Sequence, residues 1–122
     1  MRRTNGLVTL ALFLVAAVLI ADEQPEGHLV LNGGGSKPRV VMEKFVELAG
    51  GPDAAIVVFP TASELDDTGQ YYVDLFTDDY GCTNVAVAEV TTARDAQDPA
   101  LAARVRAAGG IFFSGGDQRR IT

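Results

Sequence analysis

Tryptophan is absent from this chain of 122 residues, and cysteine and histidine occur once each, as Cys82 and His28. A lone cysteine excludes an internal disulfide framework and any cysteine-rich zinc site, and a lone histidine excludes every motif that needs two. Basic residues are scarce as well, ten against 16 acidic ones for a net charge of −6, so the chain lacks the basic face of a nucleic-acid binder. No internal repeat is visible, and beyond the first residues nothing is low in complexity. What is present is 48% apolar, 21% charged and 7% aromatic, which is a globular composition, and the length allows one ordinary domain at most.

The first 21 residues stand apart from the rest. Arg2 and Arg3 precede the polar Thr4, Asn5 and Gly6, then 15 residues over 7–21 are apolar apart from Thr9, and Asp22, Glu23, Gln24, Pro25 and Glu26 end the run abruptly. These are the n-region, h-region and exit of a secretory signal, and the run is short for a bilayer span of about 20 residues. The expectation is a signal peptide over 1–21, a short linker over 22–27, and export to the periplasm or the extracellular space. Left uncleaved, the same run would anchor the chain, which is the one membrane contact expected. Removal of Arg2 and Arg3 leaves eight basic residues against 16 acidic ones, a net charge of −8. Export also exposes an unpaired thiol to oxidation, so Cys82 is expected to be buried.

From His28 onward, short apolar runs alternate with amphipathic stretches. Residues 28–32 predict a strand that stops at Gly33, Gly34 and Gly35, and a helix follows from about Pro38, with Val41, Phe45 and Leu48 on its inner face and Gly50 and Gly51 as its stop. Residues 54–59 are continuously apolar and β-branched, as in a strand covered on both faces of a parallel sheet. Asp66 and Asp67 are placed to cap a helix that buries Tyr72, Leu75, Phe76 and Tyr80 and ends at Gly81. A third strand is expected over 84–90. Asp98 and Pro99 then start a helix with Leu101, Val105 and Ala108 on its inner stripe, stopped by Gly109 and Gly110, and a fourth strand covers 111–114. Strand and helix alternating in this way predict a doubly wound, mostly parallel α/β sheet with helices on both faces. Ligands in such sheets bind beyond the carboxyl ends of the strands.

Three of those strand ends carry unusual chemistry. Gly33, Gly34 and Gly35 sit where backbone N–H groups face an anion, or else form a tight turn that simply needs glycine. Pro38 takes the third glycine position of a dinucleotide fingerprint, and the phosphate-loop pattern also fails, so no cofactor is expected. Ser114, Gly115, Gly116, Asp117 and Gln118 let the backbone approach a ligand and aim N–H groups at developing negative charge, although a helix entry turn also explains Asp117. No nucleophile is assigned. Cys82 lies on the helix-to-strand side of the sheet, Ser36 has Pro38 where an elbow wants glycine, and Ser63 has no framing glycine. His28 reads as a strand-entry residue. The Asp66–Asp67 and Asp78–Asp79 pairs read as a helix cap and a solvated face rather than as acid/base pairs or a metal site, and no metal is expected.

Taken as a set, Leu31-Asn32-Gly33-Gly34-Gly35, Val58-Phe59-Pro60-Thr61-Ala62-Ser63 and the run from Gly110 through Ser114-Gly115-Gly116-Asp117-Gln118 to Thr122 resemble the front half of the cyanophycinase family. That family groups with dipeptidase E among serine peptidases of the class I glutamine amidotransferase-like fold. The resemblance spans about 27–122 and implies a flavodoxin-like α/β domain, here incomplete. It implies that Gly115, Gly116 and Asp117 form a loop giving backbone donors to an oxyanion hole, that Gln118 contacts substrate, and that Gly33, Gly34 and Gly35 border the site. It also implies a peptide substrate with an aspartate backbone carrying arginine, for which acidic groups around the cleft would be suited. The family's serine elbow and histidine fall beyond these motifs, so this chain alone is expected to be inactive. The rival reading is a non-catalytic, exported α/β binding module or pseudoenzyme, and a homodimer is compatible with either.

Overall fold

A computed structural model of the chain describes residues 26–122; the leader over 1–21 and most of the 22–27 linker lie outside the described residues. Chain order gives helix α1 (Arg39–Ala49), strand β1 (Ile56–Phe59), helix α2 (Thr68–Asp74), strand β2 (Val85–Val87), helix α3 (Pro99–Ala107) and strand β3 (Gly110–Phe113). The α2 helix runs on through a wider turn at Leu75–Asp79, and short 3₁₀ turns occupy Asp95–Gln97 and Gln118–Arg120. The three strands form one all-parallel sheet in the order β2-β1-β3.

The central strand explains the arrangement. Ile56, Val57 and Val58 are 0–1% exposed, as a β-branched run covered on both faces requires. The crossover from β1 to β2 carries α2 on one face. The return from β2 to β3 passes β1 in the opposite direction, so right-handed connections place α3 on the other face. The register pairs Val58 with Val87 on one side and with Phe112 on the other. Phe112 is the hub of the helix-covered face, its ring centre 4.7 Å from Tyr72, 5.3 Å from Phe76 and 5.7 Å from Phe45. Since Phe45 belongs to α1 and the other two to α2, both helices share that face. Cys82 is buried beneath them, and burial pushes its thiol pKa up.

Local signals act largely as their chemistry demands. Gly50 closes α1 in the left-handed region at φ 113°, a conformation that costs a side chain dearly, and the Gly51 N–H donates to the Val46 carbonyl at 2.9 Å. The Asp98 carboxylate caps α3 by accepting from the Ala100 N–H at 2.9 Å, ahead of Pro99.

Several expectations are corrected. Residues 28–32 form no strand: the segment lies outside the sheet, and Leu29 and Leu31 are each 82% exposed. A strand is stable only against a neighbour that takes its backbone hydrogen bonds, and no ladder reaches this one. In α1 the deepest residues are Met42, Val46 and Ala49, while Val41, Phe45 and Leu48 turn toward a cavity beside β3. Asp67 stands at the start of α2 but its side chain caps nothing. The Ser63 hydroxyl orders that entrance instead, accepting from the Leu65 N–H at 3.1 Å and sharing a 2.6 Å hydrogen bond with Thr68. The β2 strand is shorter than expected: its ladder to β1 stops at the Val58–Val87 pair, one residue before β1 itself ends. No residue of α3 is fully buried, and Ala108 leaves the helix in an extended conformation.

These contacts separate core from edge. Phe76→Ala is expected to cost about 3–5 kcal/mol, whereas Phe113→Ala, at a side chain that is 64% exposed, should cost roughly 0.5 kcal/mol or less. Hydrogen exchange of the β1 amides checks both: exchange should quicken sharply in the first variant and barely in the second.

Candidate functional site

The carboxyl ends of β1 and β3 lie side by side because the strands are parallel and in register through Phe59 and Phe113. The Ser114 N–H continues the ladder, donating to the Phe59 carbonyl at 3.0 Å. Past that point the two chains turn into loops that hold each other. The Asp117 N–H donates to the Ala62 carbonyl at 2.8 Å, and the Arg120 guanidinium reaches the Thr61 carbonyl at 3.3 Å. Gly116, at φ 149°, packs so tightly on this loop that a Cβ would collide with the Ala62 carbonyl. Glycine is therefore required here on two counts, the close approach and the backbone angle.

This geometry divides the work among residues 114–118. The Asp117 amide is committed to Ala62, so of the three candidate oxyanion donors only Gly115 and Gly116 keep backbone N–H groups without an acceptor among the described residues. The Asp117 carboxylate is also committed. It accepts from the Arg119 backbone N–H at 2.9 Å and from the Arg119 guanidinium, capping the Gln118–Arg120 turn. Those side-chain hydrogen bonds, then the backbone one, and the nearby Arg120 charge hold its pKa below the usual aspartate range. Gln118 is exposed at the start of that turn, its side chain in no hydrogen bond within the described residues. The Ser114 hydroxyl is buried and has no hydrogen-bond partner among the described residues. The sequence places Ser114 at the head of this ligand-edge run, and its buried hydroxyl adds a polar group there to which the motif gave no separate role.

Gly33, Gly34 and Gly35 line the same open cavity of about 950 Å³ as Gly115 and Gly116, together with other residues of 26–35, β3 and α1. Asn32 ties the loop to itself through a 3.3 Å bond to the Ser36 carbonyl, and Lys37 places its ammonium 5.4 Å from the centre of the Tyr72 ring. Among the described residues lining the cavity Glu26 is the single carboxylate, and Lys37 and His28 line it as well. The acidic excess is spent elsewhere, on exposed positions such as Asp66, Asp67, Asp78 and Asp79. Ser63 is engaged with Thr68 and Leu65, and Cys82 is buried at the opposite end of the sheet from the two loops. Ser36 and His28 are exposed, and no pair of these residues is joined in a nucleophile–base hydrogen bond among the described residues.

A parallel sheet wound on both faces, with glycine-bearing loops meeting at the carboxyl ends of neighbouring strands, defines an α/β protein of partial flavodoxin-like architecture. No family model matches the chain. It is 40% identical over 106 residues to a cyanophycinase of Synechococcus elongatus and equally to one of Thermosynechococcus vestitus, matches that cover 81% of this chain and 33% of each relative. A cyanophycinase of Geminocystis herdmanii is 33% identical over 97 residues, 75% of this chain and 35% of the relative. Over that stretch the chain belongs to the cyanophycinase-like family. It spans about a third of the length of the curated relatives it matches.

Because the folded pKa of Asp117 lies below its unfolded value, its contribution to the loop is complete above the ordinary aspartate range and is lost as the pH falls through the folded pKa. An NMR titration should place the Asp117 inflection below that of an aspartate in an unfolded peptide, with the Arg119 amide shifting in the same step. Asp117→Asn should remove that step.

Proposed function

We propose that this chain carries the substrate-facing loops of a cyanophycinase-like serine peptidase, whose nucleophile and general base come from the part of the relatives this chain does not span. The observation that carries the reading is the junction between Ala62 and Asp117, beside which the Gly115 and Gly116 amides have no acceptor among the described residues at the carboxyl edge of a parallel sheet. The 40% identity to cyanophycinases over 81% of the chain supports the substrate class, an aspartate backbone carrying arginine.

In this reaction the general base takes the proton of a serine hydroxyl as its Oγ attacks the peptide carbonyl carbon and forms the C–O bond, while the π pair moves onto the carbonyl oxygen. That oxyanion is stabilised by preorganised N–H donors, here assigned to Gly115 and Gly116. Collapse breaks the C–N bond, the base delivers its proton to the leaving amine, and water then releases the acyl group. Gly33, Gly34 and Gly35 border the same space and let backbone rather than side chain meet the substrate. Gln118, exposed beside them, is the residue assigned to hydrogen-bond it.

The test is hydrolysis of cyanophycin. The chain alone should release nothing, and the chain joined to the remaining part of the Synechococcus elongatus relative should release aspartate–arginine products. In that joined protein Gly116→Ala should lower kcat roughly 100-fold by displacing the donor loop. An inactive joined protein, or a Gly116→Ala form as fast as its parent, would overturn the assignment.

The proposal extends to location, with residues 1–21 acting as an export signal. Fused ahead of a reporter that is active only outside the cytoplasm, residues 1–27 should switch it on, and replacing Arg2 and Arg3 with glutamate should weaken that signal.

A further inference from the structure

Lys37 is a cation without a counter-charge among the described residues. It lines the same cavity as Gly33–Gly35, Gly115 and Gly116, and it is half-buried there. Arg39, Lys44 and Arg119 are each paired with a carboxylate, whereas Lys37 belongs to no ion pair among the described residues. The α1 helix that it precedes has no acidic residue in its first turn, so that helix offers it no neutralising group at its entrance.

The ammonium is nonetheless held in place. It lies 5.4 Å from the centre of the Tyr72 ring and donates to the Gly35 carbonyl at 3.5 Å. Tyr72 is 3% exposed, and its ring centre is 4.7 Å from that of Phe112, so the platform beneath the ammonium is part of the core built on β3. An ammonium has three N–H donors. One goes to Gly35 and at most one to the ring face, which leaves at least one for a ligand. Partial removal from water makes a charged partner more valuable, and a lysine already held loses less side-chain freedom on binding than one that swings in solvent.

The size of the charge indicates the partner. A phosphate brings up to two negative charges and three strong acceptor oxygens, and the phosphate-loop pattern that would meet them is missing from this glycine run. A carboxylate brings one charge, which one ammonium balances. We infer that Lys37 binds a carboxylate of the peptide substrate and is a specificity-determining residue of the cavity, setting KM rather than kcat. The choice of ligand rests on the proposed function, because an aspartate backbone carrying arginine is what supplies the carboxylate. The unpaired ammonium beside the glycine loop stands without it.

The probe is an aspartate–arginine dipeptide, which carries one carboxylate on each residue. It is titrated into the 122-residue chain alongside two forms with one or the other carboxylate amidated, and alongside inorganic phosphate, while NMR follows the Gly33–Gly35 amides and the Lys37 side chain. The free dipeptide should shift these signals. One amidated form should bind roughly tenfold or more weakly, the loss of one charge-assisted hydrogen bond, and it identifies which residue's carboxylate is held. Lys37→Met, which keeps an unbranched stem and removes the charge, should bind all three dipeptides equally weakly, and Lys37→Arg should restore the discrimination. The inference is overturned if both amidated forms bind as well as their parent, if Lys37→Met still discriminates, if phosphate binds as tightly as the dipeptide, or if no probe shifts these signals. In the protein joined to the remaining part of the Synechococcus elongatus relative, Lys37→Met should raise KM for cyanophycin roughly tenfold with little change in kcat. Carboxylate-dependent binding beside an inactive joined protein would keep the role of Lys37 and remove the proposed function. An active joined protein whose KM ignores Lys37→Met would do the reverse.

Discussion

The parallel ladder between Ile56–Phe59 and Gly110–Phe113 is the constraint on which the remainder of the structure depends. It sets Phe112 under α1 and α2, so one ring holds both helices to the sheet, and it brings the carboxyl ends of two strands together, so the loops can meet. The second ladder of β1, to Val85–Val87, is shorter and leads into no comparable loop contact. A central strand buried on both faces has no freedom to slip, since a one-residue shift would send Val58 to the face of Val57 and misalign every aromatic contact above it.

The same ladder explains why the site consists of backbone rather than side chains. Two loops leaving adjacent parallel strands begin only one strand spacing apart, about 4.8 Å, and can stay in contact only if one of them omits a side chain. Gly116 omits it, and the Asp117 amide then reaches the Ala62 carbonyl. Once Asp117 is held at its amide by Ala62 and at its carboxylate by Arg119, Gly115 and Gly116 are the part of the loop with hydrogen-bonding capacity to spare. The loop is rigid on one side and available on the other, which is the condition for preorganised electrostatics.

Much of this was legible in the residues themselves. The apolar, β-branched run through Ile56, Val57 and Val58 announced a two-sided strand, Asp98 with Pro99 announced a helix start, and Gly50 and Gly81 announced helix ends. What failed did so where the answer depended on partners rather than on local pattern. His28 to Asn32 has the pattern of a strand, but pairing is a property of two segments and only one is in place. The α1 stripe came out one position off because Val41, Phe45 and Leu48 and their neighbours Met42, Val46 and Ala49 are both apolar, and only the position of the sheet decides which is deeper. Asp67 makes no side-chain cap of α2, and the entrance is ordered instead by the Ser63 hydroxyl, five positions before Thr68, a contact that composition does not reveal. The commitment of the Asp117 amide to Ala62 was likewise out of reach, since the two residues are joined only by the fold.

The register between Val58 and Phe112 also has a consequence in time. These partners are 54 positions apart, and at synthesis rates of about 5–20 residues per second the second follows the first by roughly three to ten seconds. Throughout that interval the most apolar and β-branched segment of the described chain has an unpaired edge, and β2 covers only the other one. Sheet closure is therefore set by the pace of translation rather than by the microseconds a local hairpin would need. A central strand whose second neighbour follows 54 positions later keeps one edge open to pairing with other chains until that neighbour is made.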